Sequence, residues 1–522
     1  MRKYVRSLKA QCAAAVLAGA LLIGGGAALF EQDAHAKEKS NKPVPAHVTV
    51  DNAPVQRERE MVTSFSTVVK KVSPSVVKVY STFKGREMGE AGNPFFDDPM
   101  FRRFFGDQFA PENDGRQNGG RNGRTKKMPA PKQQGVGSGV IVSKDGYILT
   151  NNHVVDNAEE VKVQIGDNGE AITAKVVGTD PKSDIAVLKI DAKDKSYPAL
   201  TVADSDKIEV GDVVLAVGNP FGIGQTVTMG IVSATGRATL GLEYEDFIQT
   251  DAAINMGNSG GALVDAEGRL VGINTAILSR TGGNQGIGFA VPVNLARYVM
   301  ESIIENGHVI RGFMGVNIQN VDPSLAEKFE VKEHTGALVS NVTPDGPADQ
   351  AGLKDGDVIV EFDGKPVVDS RHLKLQVAQT PPGKEVPVKL SRNGKEKELT
   401  VTLKEFPKDK ELAKNDRGDL KSGDPTDGIT VDELNTAARQ QFDIPKNVTG
   451  ALITDVDPDS AGAAAGLRAG DVILEINKKP VKSSEDAVAM TENIKDDSVL
   501  LRVWSRGSAR YVILKKSDAK VG

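Results

Sequence analysis

The sequence predicts a mainly β protein: a pair of β-barrels with a site between them, followed by two copies of a smaller module. Three observations carry this reading. Short β-branched runs separated by turn signals such as Lys144-Asp145-Gly146 and Asp167-Asn168-Gly169 recur between residues 135 and 274, a pattern of barrels or sandwiches. A candidate nucleophile, base and orienting acid, Ser259, His153 and Asp184, are spread over both halves of that region. Further on, Gly352-Leu353-Lys354-Asp355-Gly356-Asp357-Val358-Ile359 recurs as Gly466-Leu467-Arg468-Ala469-Gly470-Asp471-Val472-Ile473, an offset of 114 residues (466 minus 352), and Ser391-Arg392 recurs as Ser505-Arg506 at the same offset. One offset held over two blocks means a duplicated domain.

Taken in order, Arg2, Lys3, Arg6 and Lys9 precede an apolar run from Ala13 to Phe30 and the small-residue pattern Ala34-His35-Ala36. Residues 1–36 therefore read as a secretory signal peptide cleaved before Lys37. An uncleaved membrane anchor is the alternative, in a run of about the minimum spanning length that contains four glycines. Residues 37–60 are polar with Pro43, Pro45 and Pro54, and read as a flexible lead. The sole cysteine, Cys12, falls inside the signal segment, so stability must come from packed cores rather than disulfides. A chain of 522 residues has room for three or four domains. Its net charge of −5 and few aromatics give no sign of nucleic-acid binding. Scattered histidines argue against a metal, no cofactor is expected, and the absence of a Gly-x-x-x-x-Gly-Lys-Ser/Thr pattern argues against nucleotide use.

Phe65, Val68, Val69 and Val72 recur at helical spacing, and Ser73-Pro74 should stop that helix. Val76, Val77, Val79 and Tyr80 begin the first strand. Residues 84–134 form a long inserted loop, one part rich in phenylalanine and the other in Gly, Asn and Arg. Loops of that length inside a compact domain are functional or disordered. Strands are then expected at 139–142, 161–165, 172–177, 185–190, 213–217, 227–233, 262–264 and 270–274, and a closing helix at 292–306. The first domain spans 61–308, and the repeated modules span 309–404 and 428–518, joined by a charged linker at 405–427.

The chemistry centres on Asp251-Ala252-Ala253-Ile254-Asn255-Met256-Gly257-Asn258-Ser259-Gly260-Gly261. A nucleophilic serine needs an exposed Oγ and backbone N–H groups converging where an oxyanion develops, which small flexible neighbours permit. It also needs a base and an acid that orients the base. His153 follows a strand that ends in polar residues, whereas the other histidine of this region, His47, sits in a polar, Pro-containing stretch. Asp184 stands at the lip of the apolar run 185–190.

Thr150-Asn151-Asn152-His153-Val154-Val155, Ser183-Asp184-Ile185-Ala186-Val187-Leu188 and Gly257-Asn258-Ser259-Gly260-Gly261 resemble the three catalytic blocks of the HtrA/DegP serine proteases, in the His, Asp, Ser order of the chymotrypsin-type triad. The Gly-Leu-x-x-Gly-Asp-x-Ile repeat resembles PDZ domains. The resemblance implies a chymotrypsin-like double β-barrel followed by two PDZ (α+β) domains. It assigns Ser259 as nucleophile, His153 as general base and Asp184 as its orienter, with Gly257, Asn258 and Ser259 forming the oxyanion hole. Gly218-Asn219-Pro220-Phe221-Gly222 and residues 237–246 resemble activation and sensor loops, and 277–286 the loop beside the specificity pocket. Ala276 and Ile277, with no acid in that loop, imply a small apolar pocket and cleavage after Val, Ile or Ala. Arg311-Gly312-Phe313-Met314-Gly315 looks like a PDZ loop that holds a peptide carboxylate. Gly428-Ile429-Thr430-Val431 lacks the second glycine, which leaves peptide binding and a packing role as alternatives for the second module. The implied function is ATP-independent endoproteolysis of unfolded or misfolded envelope proteins in the periplasm, with peptide C-termini as PDZ ligands, homotrimers that build larger cages, and chaperone activity besides. A holdase chaperone, or a PDZ scaffold with secondary proteolysis, is the alternative.

Overall fold

The computed structural model describes residues 46–55, 57, 64–83, 133–192, 196–219, 224–279, 283–331, 335–407, 428–458, 460–491 and 496–515. The signal segment, most of the inserted loop and linker, and Pro220-Phe221-Gly222 lie outside them. The short helix α1 (Ser66–Val72) gives way at Ser73-Pro74 to a turn and then to the first barrel. That barrel comprises β1 (Val76–Phe83), β2 (Gln133–Ile141), β3 (Tyr147–Asn151), β4 (Glu160–Ile165), β5 (Ala171–Asp180) and β6 (Ile185–Lys189). Its strands close in the order β1-β2-β3-β6-β5-β4. The second barrel comprises β7 (Val213–Gly218), β8 (Thr226–Arg237), β9 (Phe247–Thr250), β10 (Ala262–Asp265), β11 (Leu270–Ile277) and β12 (Gly288–Pro292). Read from β7, its closed order is β7-β8-β9-β12-β11-β10, the connectivity of the first barrel.

Each barrel fills its interior with inward-facing side chains, as small closed barrels must. Val79, Ile148, Val163 and Leu188 are buried in the first, and Leu215, Phe247, Leu263, Ile273 and Phe289 in the second. The helix α3 (Val293–Asn306) lays Val299, Met300 and Ile303 onto the barrels and ends at Gly307, whose φ of 78° is the left-handed cap that glycine favours. The described part of the lead is not loose. Val48 bridges Ser143, Val50 bridges Val202, and the Arg57 guanidinium bonds the Asp212 carboxylate. This corrects the expectation of a flexible lead over those residues: isolated bridges to Ser143 and Val202, outside the barrel strands, and the Arg57 ion pair hold the segment.

The first repeated module contains β13 (Gly312–Phe313), β14 (Val316–Asn320), α4 (Pro323–Lys328), β15 (Ala337–Val342), α5 (Pro347–Ala351), β16 (Val358–Phe362), β17 (Lys365–Pro366), α6 (Ser370–Ala378), β18 (Glu385–Arg392), β19 (Lys395–Thr402) and β20 (Lys404–Glu405). The second contains β21 (Ile429–Glu433), α7 (Thr436–Gln441), β22 (Ala451–Val456), α8 (Ala461–Ala464), β23 (Val472–Ile476), β24 (Lys479–Pro480), α9 (Ser484–Thr491), β25 (Ser498–Ser505) and β26 (Ser508–Lys515). Their sheets run β14-β15-β16-β18-β19 and β21-β22-β23-β25-β26. The repeated motif has a local cause. Gly352 and Gly356 take φ of 84° and 85°, Gly466 and Gly470 take 74° and 91°, and the buried Asp357 and Asp471 accept the N–H groups of Lys354 and Arg468. The modules join through an apolar cluster in which Leu325, Phe329, Leu338 and Val358 of the first meet Leu500 and Tyr511 of the second.

Candidate active site

Register brings the base and the acid together. β3 pairs with β6 so that Asn151 lies opposite Ile185, which sets the residues just beyond, His153 and Asp184, side by side. His153 sits on the single turn α2 (Asn152–Val155). The Asp184 carboxylate grips it twice, accepting the His153 backbone N–H at 3.0 Å and lying 2.8 Å from its Nδ1. Asp184 itself has φ 57°, a left-handed conformation that aspartate tolerates better than most residues. Its carbonyl accepts the N–H of Asn152 at 3.1 Å and the Asn151 amide at 3.0 Å.

The serine comes from the other barrel. Asn151 Nδ2 also donates to Thr275 Oγ1 at 2.9 Å, on β11, and the Thr275 carbonyl accepts the Ser259 hydroxyl at 3.1 Å. A short chain of bonds therefore ties Asp184 to Ser259 across the seam. His153, Asp184 and Ser259 are all buried.

The turn around Ser259 is fixed by its backbone. Gly257 has φ 95° and Gly260 φ 84°. A Cβ on Gly260 would lie 2.1 Å from the Ser138 carbonyl oxygen, so only glycine fits. Ser138, on β2, holds this turn from the first barrel. Its N–H donates to the Ser259 carbonyl at 2.8 Å, and its hydroxyl donates to the Gly257 carbonyl at 2.6 Å while accepting the Asn219 N–H at 2.9 Å. The Asn258 N–H is committed to Asn255 at 3.0 Å. Among the described residues, the N–H groups of Gly257 and Ser259 are donated to no protein acceptor. A hydroxyl, an oriented imidazole and two undonated N–H groups in one turn are the parts that acyl transfer requires. Ala276 and Ile277 follow Thr275 on β11, both buried, paired with Phe289 and Gly288. Sequence reading gave no role to Ser138 or Thr275, and none of its own to Asn151 within the block that holds His153. They are ordinary strand residues whose roles arise only where the barrels meet.

In the first module a groove of about 370 Å³ runs between β14 and α6. Gly312, Phe313, Met314 and Gly315 line it, facing Leu373 and Val377. Arg311 does not. Its guanidinium pairs with Asp180 at 2.5 Å, lies 4.2 Å from the Tyr244 ring centre, and lines an adjoining cavity of about 340 Å³. The expectation of a groove residue at Arg311 is corrected on this ground: a buried carboxylate and an aromatic face capture the cation. The loop at 237–246 touches the same module. Arg371 pairs with Asp246 at 2.5 Å, Lys374 donates to the Glu243 carbonyl at 3.0 Å, and Tyr244 lines the groove. In the second module, Gly428 (φ 83°) holds the place of Gly315 (φ 80°), since Ile429 pairs Val456 as Val316 pairs Val342. The second glycine is therefore present there, and the residues before it lie outside the described set.

This fold is that of a trypsin-like serine peptidase carrying two further copies of one module. The chain matches the Trypsin-like peptidase domain family over residues 137–273 and PDZ domain families over 312–403 and 452–505. A protein of Brucella melitensis biotype 1 named "Probable periplasmic serine endoprotease DegP-like" is 39% identical over 526 aligned positions, covering 98% of each chain. One of that name from Chlamydia trachomatis serovar D is 38% identical, covering 88% of this chain and 90% of that one. Among solved structures, an HtrA-type protease AlgW with a tripeptide is 45% identical, with a TM-score of 0.50 over 66% of this chain and 98% of that one. The chain belongs to the DegP-like, HtrA-type family of PDZ-bearing serine endoproteases.

Proposed function

We propose that the protein degrades unfolded or damaged envelope proteins in the periplasm without nucleotide hydrolysis, and that Ser259, His153 and Asp184 form its triad. The observation that carries this is the double grip of Asp184 on His153, bonded through to the Ser259 turn. Ser259 Oγ turns from the Thr275 carbonyl toward His153, gives up its proton to the imidazole and attacks the scissile carbonyl. Asp184 holds the imidazole in one tautomer and stabilises the imidazolium. The N–H groups of Gly257 and Ser259 receive the oxyanion, and the proton on His153 passes to the leaving amine. Water then hydrolyses the acyl-enzyme by the same route. Ala276 and Ile277 give the pocket small apolar walls, which suits Val, Ile or Ala before the scissile bond. The first PDZ groove takes chain ends with an apolar last residue, held at the N–H groups around Gly315. Trimers that assemble into cages, and holding of unfolded clients, belong to this reading through the family.

Casein digestion tests it. The mature protein digests casein, a peptide ending in an apolar carboxylate stimulates it, and Ser259→Ala does not cleave. Digestion by both proteins removes the triad assignment. Cleavage without stimulation removes the role of the groove. Absence of cleavage by either, with aggregation of an unfolded client still suppressed, moves the function to a holdase.

A further inference from the structure

The groove of the first module does not end within that module. Ser508, Ala509 and Arg510, on β26 of the second module, line it beside Ile318 and Gln319. If a chain end adds to β14 with its carboxylate near Gly315, it runs antiparallel to that strand. At roughly 3.3 Å per residue, its fourth or fifth residue from the end is level with Gln319. There the side chain of Gln319 clasps the second module: Nε2 donates to the Tyr511 carbonyl at 3.0 Å, and the Tyr511 N–H donates to Oε1 at 2.7 Å.

Both backbone groups of Tyr511 thus face away from β25, which makes Arg502–Tyr511 a pair without ladder bonds. Such pairs alternate along an antiparallel ribbon. The pair two residues on, Trp504–Ala509, is of the same kind, so the N–H and C=O of Ala509 face the same free edge as those of Tyr511. The two-residue turn at Arg506 (φ 50°) and Gly507 (φ 90°) fits this register, because such turns are flanked by a bonded pair, here Ser505–Ser508. Of the charged residues, Lys374 and Arg510 line the groove, and no carboxylate does among the described residues.

We propose that the two modules form one continuous peptide site. The apolar end of an unfolded chain adds to β14, and its neutral or acidic residues upstream of about the fourth continue onto the edge of β26 through the N–H and C=O of Ala509. The second module then extends the first module's site rather than reading a separate end. This rests on the chain-end reading above.

The test measures binding of two fluorescein-labelled peptides to the full-length Ser259→Ala protein by anisotropy. One is a tetrapeptide and the other a nonapeptide, with the same apolar last residue and free carboxylate. Two added backbone bonds predict about tenfold tighter binding of the nonapeptide. Ala509→Pro deletes only an outward-facing N–H on an edge strand, a position where proline is tolerated. It should reduce the margin severalfold and leave tetrapeptide binding unchanged. Equal affinities in the unmodified background overturn the continuous site and leave chain-end binding standing. No tetrapeptide binding overturns the chain-end reading itself. If Ala509→Pro weakens both peptides alike, single N-methylations at residues five to eight from the end of the nonapeptide decide. A loss confined to one or two of them supports the site, and no loss at any of them overturns it.

Discussion

The Ser138 hydroxyl sits between the Gly257 carbonyl at 2.6 Å and the Asn219 N–H at 2.9 Å, so one small side chain sets which way the 257–258 peptide faces. Ser138→Ala leaves a buried donor and acceptor unsatisfied, at a cost of about 1–3 kcal/mol. It also frees the 257–258 peptide, which lies between the two peptides whose N–H groups are proposed to receive the oxyanion. Loss of one oxyanion donor lowers kcat by roughly 100- to 1000-fold. Steady-state assays on Ser138→Ala should therefore show a kcat loss of up to that size, with KM nearly unchanged and a modest fall in Tm. A matching rise in KM, or no loss of kcat, would remove Ser138 from the positioning of that turn.

Among the elements, β13 and the C-terminal end of α6 touch so closely that a Cβ on Gly312 would lie 2.4 Å from the Val377 carbonyl and 2.5 Å from that of Thr380, just past the helix. Gly312→Ala must push the helix outward, which costs about 1–3 kcal/mol. It should weaken binding of an apolar chain end, as titration calorimetry would read. Asp471 carries a pH signature. Burial raises its carboxyl above the usual 3.8, against the N–H of Arg468 and the neighbouring arginines. Its folded pKa is higher than its unfolded one, so the stability it adds is complete below about 3.8 and is lost as pH rises through the raised value. Asp471→Asn should thus gain urea resistance relative to wild type as pH increases toward 7, and a difference that shrank with pH would refute this. Much at this scale was legible in the sequence. Alternation and turn signals mark the strands around Val79, Val163 and Leu215, and the 114-residue offset marks the modules. The short strands β9 and β12, with Phe289 and Ala290 buried side by side, show no period to read. Gln133-Gln134-Gly135 opens β2 without a β-branched residue. Residue type and the three resembling blocks mark Ser259, His153 and Asp184 as candidates in the sequence, whereas the turning of Arg311 toward Asp180 depends on a neighbour 131 positions away in the chain.

For the whole molecule, Arg502 is a second polar joint between the modules, besides the Gln319–Tyr511 clasp. Buried in the seam, it donates to the Ser340 carbonyl at 2.9 Å and to Glu475 at 2.9 Å, and pairs with Asp355. Burial already pushes the Asp355 carboxyl up, with Arg502 pulling the other way. Arg502→Ala would strand these acids and should let the modules part, seen as a larger radius of gyration in small-angle scattering. An unchanged radius would place the cohesion in the Gln319–Tyr511 bonds and the apolar cluster around Phe329 and Tyr511, whose rings meet at 5.0 Å. The division of the site between the barrels bears on the protein's own birth. On the proposed assignment, the base and its acid stand 106 and 75 residues before Ser259, so on export they reach the periplasm ahead of it. The half-made chain thus owns a poised imidazole with nothing to activate, and it acquires the means to cut only when β10 and β11 close around Ser259. The order of the chain itself delays the blade until the sheath is finished.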